Sequence, residues 1–234
     1  MIPIRDINPH KSFAWLTYAL IGVNVAVFVH QWGLSHEELE AFVWRFGVVP
    51  KALSGGGEGS LITPLTSMFL HGGLLHLLGN MWFLHVFGDN VEYALGQGRF
   101  LIFYLLCGLA AAFGQVAIDP QSTVPMIGAS GAIAGVLGGY LVLFPGARVL
   151  TLVPIFIFLH FIELPAFFFL FVWFGYQLLM GYTSLGDIGA SQGGVAFFAH
   201  VGGFVAGVVL VRLFRRTNHD TAGFRRSDRH QGRY

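Results

Sequence analysis

Charge is nearly absent from two long stretches of this chain, and that constrains its fold more than any other feature. Between Phe100 and Pro145 the one acidic or basic residue is Asp119. From Leu164 to Val211 it is Asp187. The whole 234-residue chain is 11% charged and 55% apolar, against about 25% charged in an ordinary soluble domain. A soluble surface cannot be wetted with so few polar groups, so a soluble enzyme is excluded. The same hydrophobicity excludes a disordered chain. One cysteine, Cys107, excludes an intramolecular disulfide and a Cys-rich metal site, and a net charge of +1 argues against a nucleic-acid partner. The expectation is a multi-pass membrane protein with no cofactor and no metal, whose first partner is the lipid bilayer.

A membrane-spanning helix needs about 20 mostly apolar residues. Six segments qualify: roughly Phe13–His30, a part of Leu70–Val91, Phe100–Ile118, Met126–Phe144, Leu164–Met180 and Val195–Phe214. The short apolar segment Val149–Phe161 reads as an interfacial connection or an extension of the fifth helix. The fold class is therefore an all-α bundle of six transmembrane helices. Basic residues orient it. With both termini cytoplasmic, that side holds eleven Lys and Arg and the outer side two, Arg45 and Lys51. The expected organisation is a cytoplasmic segment over 1–12, a membrane domain over 13–214 with a long outer first loop at about 31–68, and a basic, disordered cytoplasmic tail over 215–234. The expected home is a bacterial-type plasma membrane.

Polar groups inside a membrane are costly and mark function. His76 and Asn80 are four apart and share a face of the second span. Ser130 lies in the fourth span and His200 in the sixth. Spans two, four and six run in the same direction, and at about 1.5 Å per residue Ser130 and His200 both fall roughly 6–8 Å below the outer end. His76 falls at a similar depth. Small residues let the two helices approach closely: Ala134 and Gly138 lie on the Ser130 face beside a Gly131, Gly135, Gly139 stripe, and Gly203 and Gly207 lie on the His200 face.

A serine hydroxyl becomes a nucleophile when a base takes its proton, and His200 is that base. His76, Asn80 and the Ser130 backbone N–H are candidate donors to an oxyanion. No acid lies near His200 in sequence or layer, so the expectation is a Ser–His dyad and not a triad. Taken singly, each residue has a plainer reading: a serine bonded to its own helix, a structural histidine, a packing glycine. Metal binding by His71, His76 and His200 lacks a well-spaced chelating pair. Transport lacks a continuous polar path through the inner halves of spans four and six.

The runs His71-Gly72-Gly73-Leu74-Leu75-His76-Leu77-Leu78-Gly79-Asn80, Gly128-Ala129-Ser130-Gly131 and Ala199-His200-Val201-Gly202-Gly203 resemble the motifs of rhomboid intramembrane serine proteases. So do Gly88-Asp89-Asn90-Val91-Glu92 and the Gly96 to Phe100 segment. The resemblance covers roughly Pro64–Val211. It implies that Ser130 is nucleophile and His200 general base, and that His76 and Asn80 help form the oxyanion hole. His71 and Gly128 are taken as support for the site. It also implies a six-helix fold around a short helix bearing the serine, and substrates that are transmembrane segments of other proteins, cut near the outer face. Separately, Phe167, Phe168, Phe169, Phe171, Trp173 and Phe174 make span five bulky, and the Gly-rich loop Gly181–Gly194 can free its outer end, so substrate is expected to enter sideways between spans two and five. A relative that binds transmembrane helices without cutting them is the alternative, and such relatives typically lack the serine or the histidine. Two positions depart from the family pattern. Thr63-Pro64-Leu65-Thr66 stands where Trp-Arg is frequent in the first loop, and Ala134 stands where some members place a tyrosine against the base.

Overall fold

The computed structural model describes residues 1–8, 13–55, 61–184 and 196–215. Of the glycine-rich loop Gly181–Gly194, expected to free the outer end of the fifth span, the part from 185 onward lies outside the described residues. So does the basic tail from Arg216 onward.

The chain opens with strand β1 (Ile2–Ile7) and helix α1 (Trp15–Trp32). Three short helices follow in the first loop, α2 (His36–Phe46), α3 (Pro50–Ser54) and α4 (Thr63–Thr66). The bundle continues with α5 (Leu74–Leu95), α6 (Gln97–Ile118) and α7 (Ser130–Leu143). Strands β2 (Arg148–Ile155) and β3 (Phe158–Pro165) precede α8 (Ala166–Ser184) and α9 (Phe197–Phe214). Among the described residues, α6, α8 and α9 are each long and apolar enough to cross a membrane.

Helix α7 is the hub. All residues from Gly131 to Tyr140 are buried, and its 14 residues amount to about 21 Å at 1.5 Å per residue, short of a bilayer core. It runs parallel to α9 at backbone contact. A Cβ on Gly203 would strike the carbonyl of Gly131, one on Gly207 the carbonyl of Gly135, and one on Gly138 the carbonyl of Phe204. On its other side α7 packs on α6, where Gly131 faces Ala111 and Gly135 faces Cys107. The glycine stripes read from the sequence thus form the inter-helix contact.

The far end of the bundle is fastened by polar groups. Helix α1 has no capping side chain of its own. The Glu92 carboxylate of α5 accepts hydrogen bonds from the backbone N–H groups of Leu16 (3.1 Å) and Thr17 (2.7 Å), and from the Thr17 hydroxyl (2.8 Å). It supplies in trans the acceptor that a helix N-terminus requires. Asp6 of β1 accepts from Asn90 Nδ2 (2.5 Å) and from the Tyr140 hydroxyl (2.8 Å).

The all-α expectation is corrected by a three-stranded antiparallel sheet, in the order β1-β2-β3. Ile2 pairs with Leu152 and Ile7 with Arg148, so the amino-terminal segment is a strand. The physical reason lies in Val149, Thr151, Val153 and Ile155, β-branched residues that favour a pleated surface. Pro154 would break a helix here. In the sheet it pairs with Leu159 beyond the reach of β1, where its missing N–H leaves no gap in a ladder.

The first loop is anchored without the Trp-Arg pair. Val48 and Met126 form an isolated antiparallel bridge. The Thr66 hydroxyl donates to Phe46 O (2.7 Å), and the Ser54 hydroxyl to Pro120 O (2.8 Å). Helix α2 starts in a reciprocal capping box between Ser35 and Glu38. The bonds from the Ser35 backbone N–H and hydroxyl hold the Glu38 carboxyl below its ordinary range.

Candidate active site

Three helices begin in one layer, and each brings its polar residue within its first turn. Ser130 is the first residue of α7, His76 the third of α5 and His200 the fourth of α9. The N-terminal amides of these helices have no partners within their own helices, and their dipoles turn positive ends toward the layer. The three residues thus come together at a meeting of helix N-termini.

Ser130 Oγ and His200 Nε2 are 2.7 Å apart, across 70 residues of chain. Both side chains are half-buried. The tight α7–α9 contact brings them together. Because Gly131 and Gly203 let the two backbones touch, a side chain as short as serine reaches the imidazole.

His76 lies on the other side of the serine. Gly128 has φ +128°, a conformation that favours glycine. The point where its Cβ would stand is 2.9 Å from His76 Nε2 and 3.7 Å from Ser130 Oγ. Any side chain at 128 would displace the His76 ring. The Gly72 N–H donates to His76 Nδ1 (3.4 Å), which leaves the proton on Nε2, the nitrogen turned toward Gly128. The loop carrying Gly128 is tied down by its own N–H, which donates to Ser67 O (2.9 Å).

Asn80 is buried, and its Nδ2 has no hydrogen-bond partner among the described residues. Buried amide donors are ordinarily satisfied, and this one shares its unpaired state with Asn8 Nδ2, the Tyr104 hydroxyl and both ring nitrogens of His71. His71 packs edge-on against His76, ring centroids 5.1 Å apart. Its backbone is gripped by Gln31 of α1, whose Oε1 accepts from His71 N (3.0 Å) and whose Nε2 donates to His71 O (3.2 Å). Ala134, fully buried, and Gly138 continue down α7.

Gln177 of α8 was not among the expected site residues. Its Oε1 lies 2.8 Å from His200 Nδ1, and it is 7% exposed. Trp173, one turn earlier on the same face, tilts over the imidazole at 6.2 Å, and Phe197 meets it edge-on at 6.5 Å. These groups hold the ring where the Ala134 position offers no tyrosine. The sequence signal for Gln177 was its position as an amide within an aromatic-rich span, at i+4 from Trp173.

Comparison with known proteins agrees with this layout. The chain is 34% identical to Rhomboid protein 1, mitochondrial, of Saccharomyces cerevisiae over 142 residues, 59% of this chain and 39% of that protein. It is 35% identical to Rhomboid protease GluP of Bacillus subtilis over 130 residues, 53% of this chain and 24% of that protein. It is 35% identical to human Presenilin-associated rhomboid-like protein, mitochondrial, over 99 residues, 40% of this chain and 26% of that protein. The chain thus spans well under half the length of these curated relatives. The family model described as Rhomboid domain matches residues 58–217, a stretch that holds α5 to α9 and all three polar motifs, and the chain belongs to the rhomboid family.

Proposed function

We propose that this protein is an intramembrane serine endopeptidase that cuts transmembrane segments of other membrane proteins. The observation that carries this reading is the 2.7 Å approach of Ser130 Oγ to His200 Nε2. In the proposed reaction His200 Nε2 takes the hydroxyl proton as Oγ attacks the scissile carbonyl. The developing oxyanion is met by Asn80 Nδ2–H, His76 Nε2–H and the Ser130 backbone N–H. The proton then passes from His200 to the leaving amine, and a water molecule activated by the same nitrogen releases the acyl group from Ser130.

The membrane setting extends the reading. α1, α5, α6, α8 and α9 with the shorter, central α7 make up the six-helix membrane bundle, with both termini cytoplasmic and the serine layer toward the outer face. Substrate enters from the lipid between α5 and α8. In support, these two helices touch through the stacked rings of Phe87 and Phe169 at 5.9 Å, near the end remote from Ser130. The test is cleavage of a single-span reporter by reconstituted protein. Ser130→Ala and His200→Ala each lower the rate by several orders of magnitude while the fold persists. Near-native cleavage by Ser130→Ala overturns the assignment and favours a role in binding membrane helices without cutting them.

A further inference from the structure

We propose that Gln177 is a positioning residue of this site: its amide carbonyl holds the Nδ1–H of His200 and so leaves Nε2 as the base that faces Ser130. The proposal rests on the reading of Ser130 and His200 as a catalytic dyad.

A neutral imidazole carries one proton, and the partner of one nitrogen decides which nitrogen has it. If the proton sat on Nε2, that nitrogen would donate to Ser130 Oγ and could not accept its proton. Gln177 Oε1, 2.8 Å from Nδ1, is an acceptor and nothing else. The tautomer it selects is the reactive one. Trp173 and Phe197 fix the tilt of the ring, but neither offers a hydrogen-bond acceptor in the ring plane. Orientation about the remaining axis falls to Gln177.

The residue type suits the setting. A carboxylate in this position would carry an ion into an apolar span, at a desolvation cost that a neutral amide avoids. The neutral amide orients the ring without that cost, and its carbonyl dipole still points its negative end at the imidazolium formed during reaction. The chain therefore keeps the orienting function of a triad's third member while dispensing with its charge. Gln177 is also carried by a helix that holds neither Ser130 nor His200. The geometry of the base depends on where α8 sits.

The groups around His200 make the pH behaviour readable. His76 of α5 is the other imidazole beside Ser130, across Gly128. Ser130 faces it from α7, and Gln177 and Trp173 from α8. Phe197 lies on its own helix, and Gln115 of α6 is bonded to Ala199 N beside it.

The experiment uses the full chain in bilayers with nitrogen-15-labelled histidine, and two variants. Gln177→Leu keeps the bulk and removes the acceptor; Gln177→Glu keeps an acceptor. The imidazole nitrogen shifts of His200, assigned by their loss in His200→Ala, report an Nδ1–H tautomer in the native protein and a mixture in Gln177→Leu. Reporter cleavage by Gln177→Leu falls about ten- to a hundredfold in kcat, the effect of leaving one buried donor unpaired, with KM within about twofold. Gln177→Glu restores kcat, and the acid limb of its pH profile moves to higher pH because a carboxylate stabilises the imidazolium. An Nε2–H tautomer in the native protein overturns the proposal. So does a Gln177→Leu protein with native tautomer and native kcat. Should Gln177→Leu fail to fold, the native nitrogen spectrum and the pH profile of Gln177→Glu decide the matter. A native protein that cleaves nothing overturns the reading of the dyad instead, and the nitrogen shifts still report the tautomer independently.

Discussion

The two ends of the bundle are held together by different means. Around Ser130 the α7–α9 pair closes by shape: Gly131 against Gly203, Gly135 against Gly207, backbone on backbone. At the remote end they close by charge and hydrogen bonding: Glu92 capping α1, and Asp6 joining β1 to Asn90 and Tyr140. The lesson is one of economy in polar groups. Where steric contact fixes α7 and α9, the Ser130 hydroxyl need not serve structure and is left to meet the His200 imidazole. Where polar groups do the fastening, they are consumed by it. α5 and α8 follow the same division, touching through Phe87 and Phe169 toward the fastened end.

Fastening the open end should therefore stop the chemistry altogether. With one cysteine in the first two turns of α5 and one in the last two of α8, a cleavable cross-linker ties the outer ends together. Cys107 is fully buried and leaves the reaction specific. Cleavage of a membrane-embedded reporter is expected to vanish on cross-linking and to return on cleavage of the linker. Full activity of a verified cross-linked protein would mean that substrate enters elsewhere.

The steric seam can be broken directly. Gly207→Leu sets a side chain against the Gly135 backbone, which cannot rotate away as a side chain would. Overpacking of this kind costs about 1–3 kcal/mol, occasionally more. Here it also separates α7 from α9 and with them Ser130 from His200. The expected outcome is a lower thermal midpoint together with loss of most activity. A fully active Gly207→Leu protein would show that the seam does not set the distance between serine and base.

How much of this was legible in sequence follows from the same division. The steric end is written locally. Glycines at i, i+4 and i+8 and histidines at matching depth lie in short runs, and helical periodicity projects them onto faces, so Ser130, His200, His76 and the seam could all be named from spacing. The polar end is written across distance. Nothing near Asp6 announces Tyr140, 134 residues away. The strand pairing of Ile2–Ile7 with Arg148–Ile155 is likewise a long-range event, and its local sign, the β-branched run with Pro154, was outweighed by its hydrophobicity. Gln177 escaped for an intermediate reason. An amide in a span most often bonds to a neighbouring helix, and its partner here is identified by contact alone.

Asn80 tests whether an unpaired buried donor is used in the reaction. Asn80→Ala removes a buried Nδ2 that has no hydrogen-bond partner among the described residues, so stability should change little. Loss of one oxyanion donor lowers kcat by about 10²–10³, less where His76 and the Ser130 N–H compensate. The measurement is kcat alongside the thermal midpoint. An unchanged kcat in a folded variant removes Asn80 from the site.

The smallest effect on catalysis is expected where the polar fastening is cut. Asp6→Ala takes the acceptor from the Tyr140 hydroxyl, while the Asn90 amide keeps its bond to Asp89 Oδ1, a loss of about 1–3 kcal/mol for one buried group. The site layer lies at the opposite end of α5 and α7, and its distances are set by the glycine seam. Asp6→Ala should lower the thermal midpoint by several degrees and leave kcat of the folded fraction within about twofold. The same reasoning extends to the other acids. Glu58, Asp89, Glu92, Asp119, Glu163 and Asp187 each changed to alanine should weaken folding or do nothing, and none should reproduce the activity loss of His200→Ala, because the hydrogen bond from His200 Nδ1 ends on an amide. Activity of the native protein should still fall on acidification, since a protonated Nε2 cannot accept the Ser130 proton. If one folded acid variant were as inactive as His200→Ala, with its carboxylate in contact with the imidazole, the division between a steric end and a polar end would fail at the place where it matters most, and the site would be a triad.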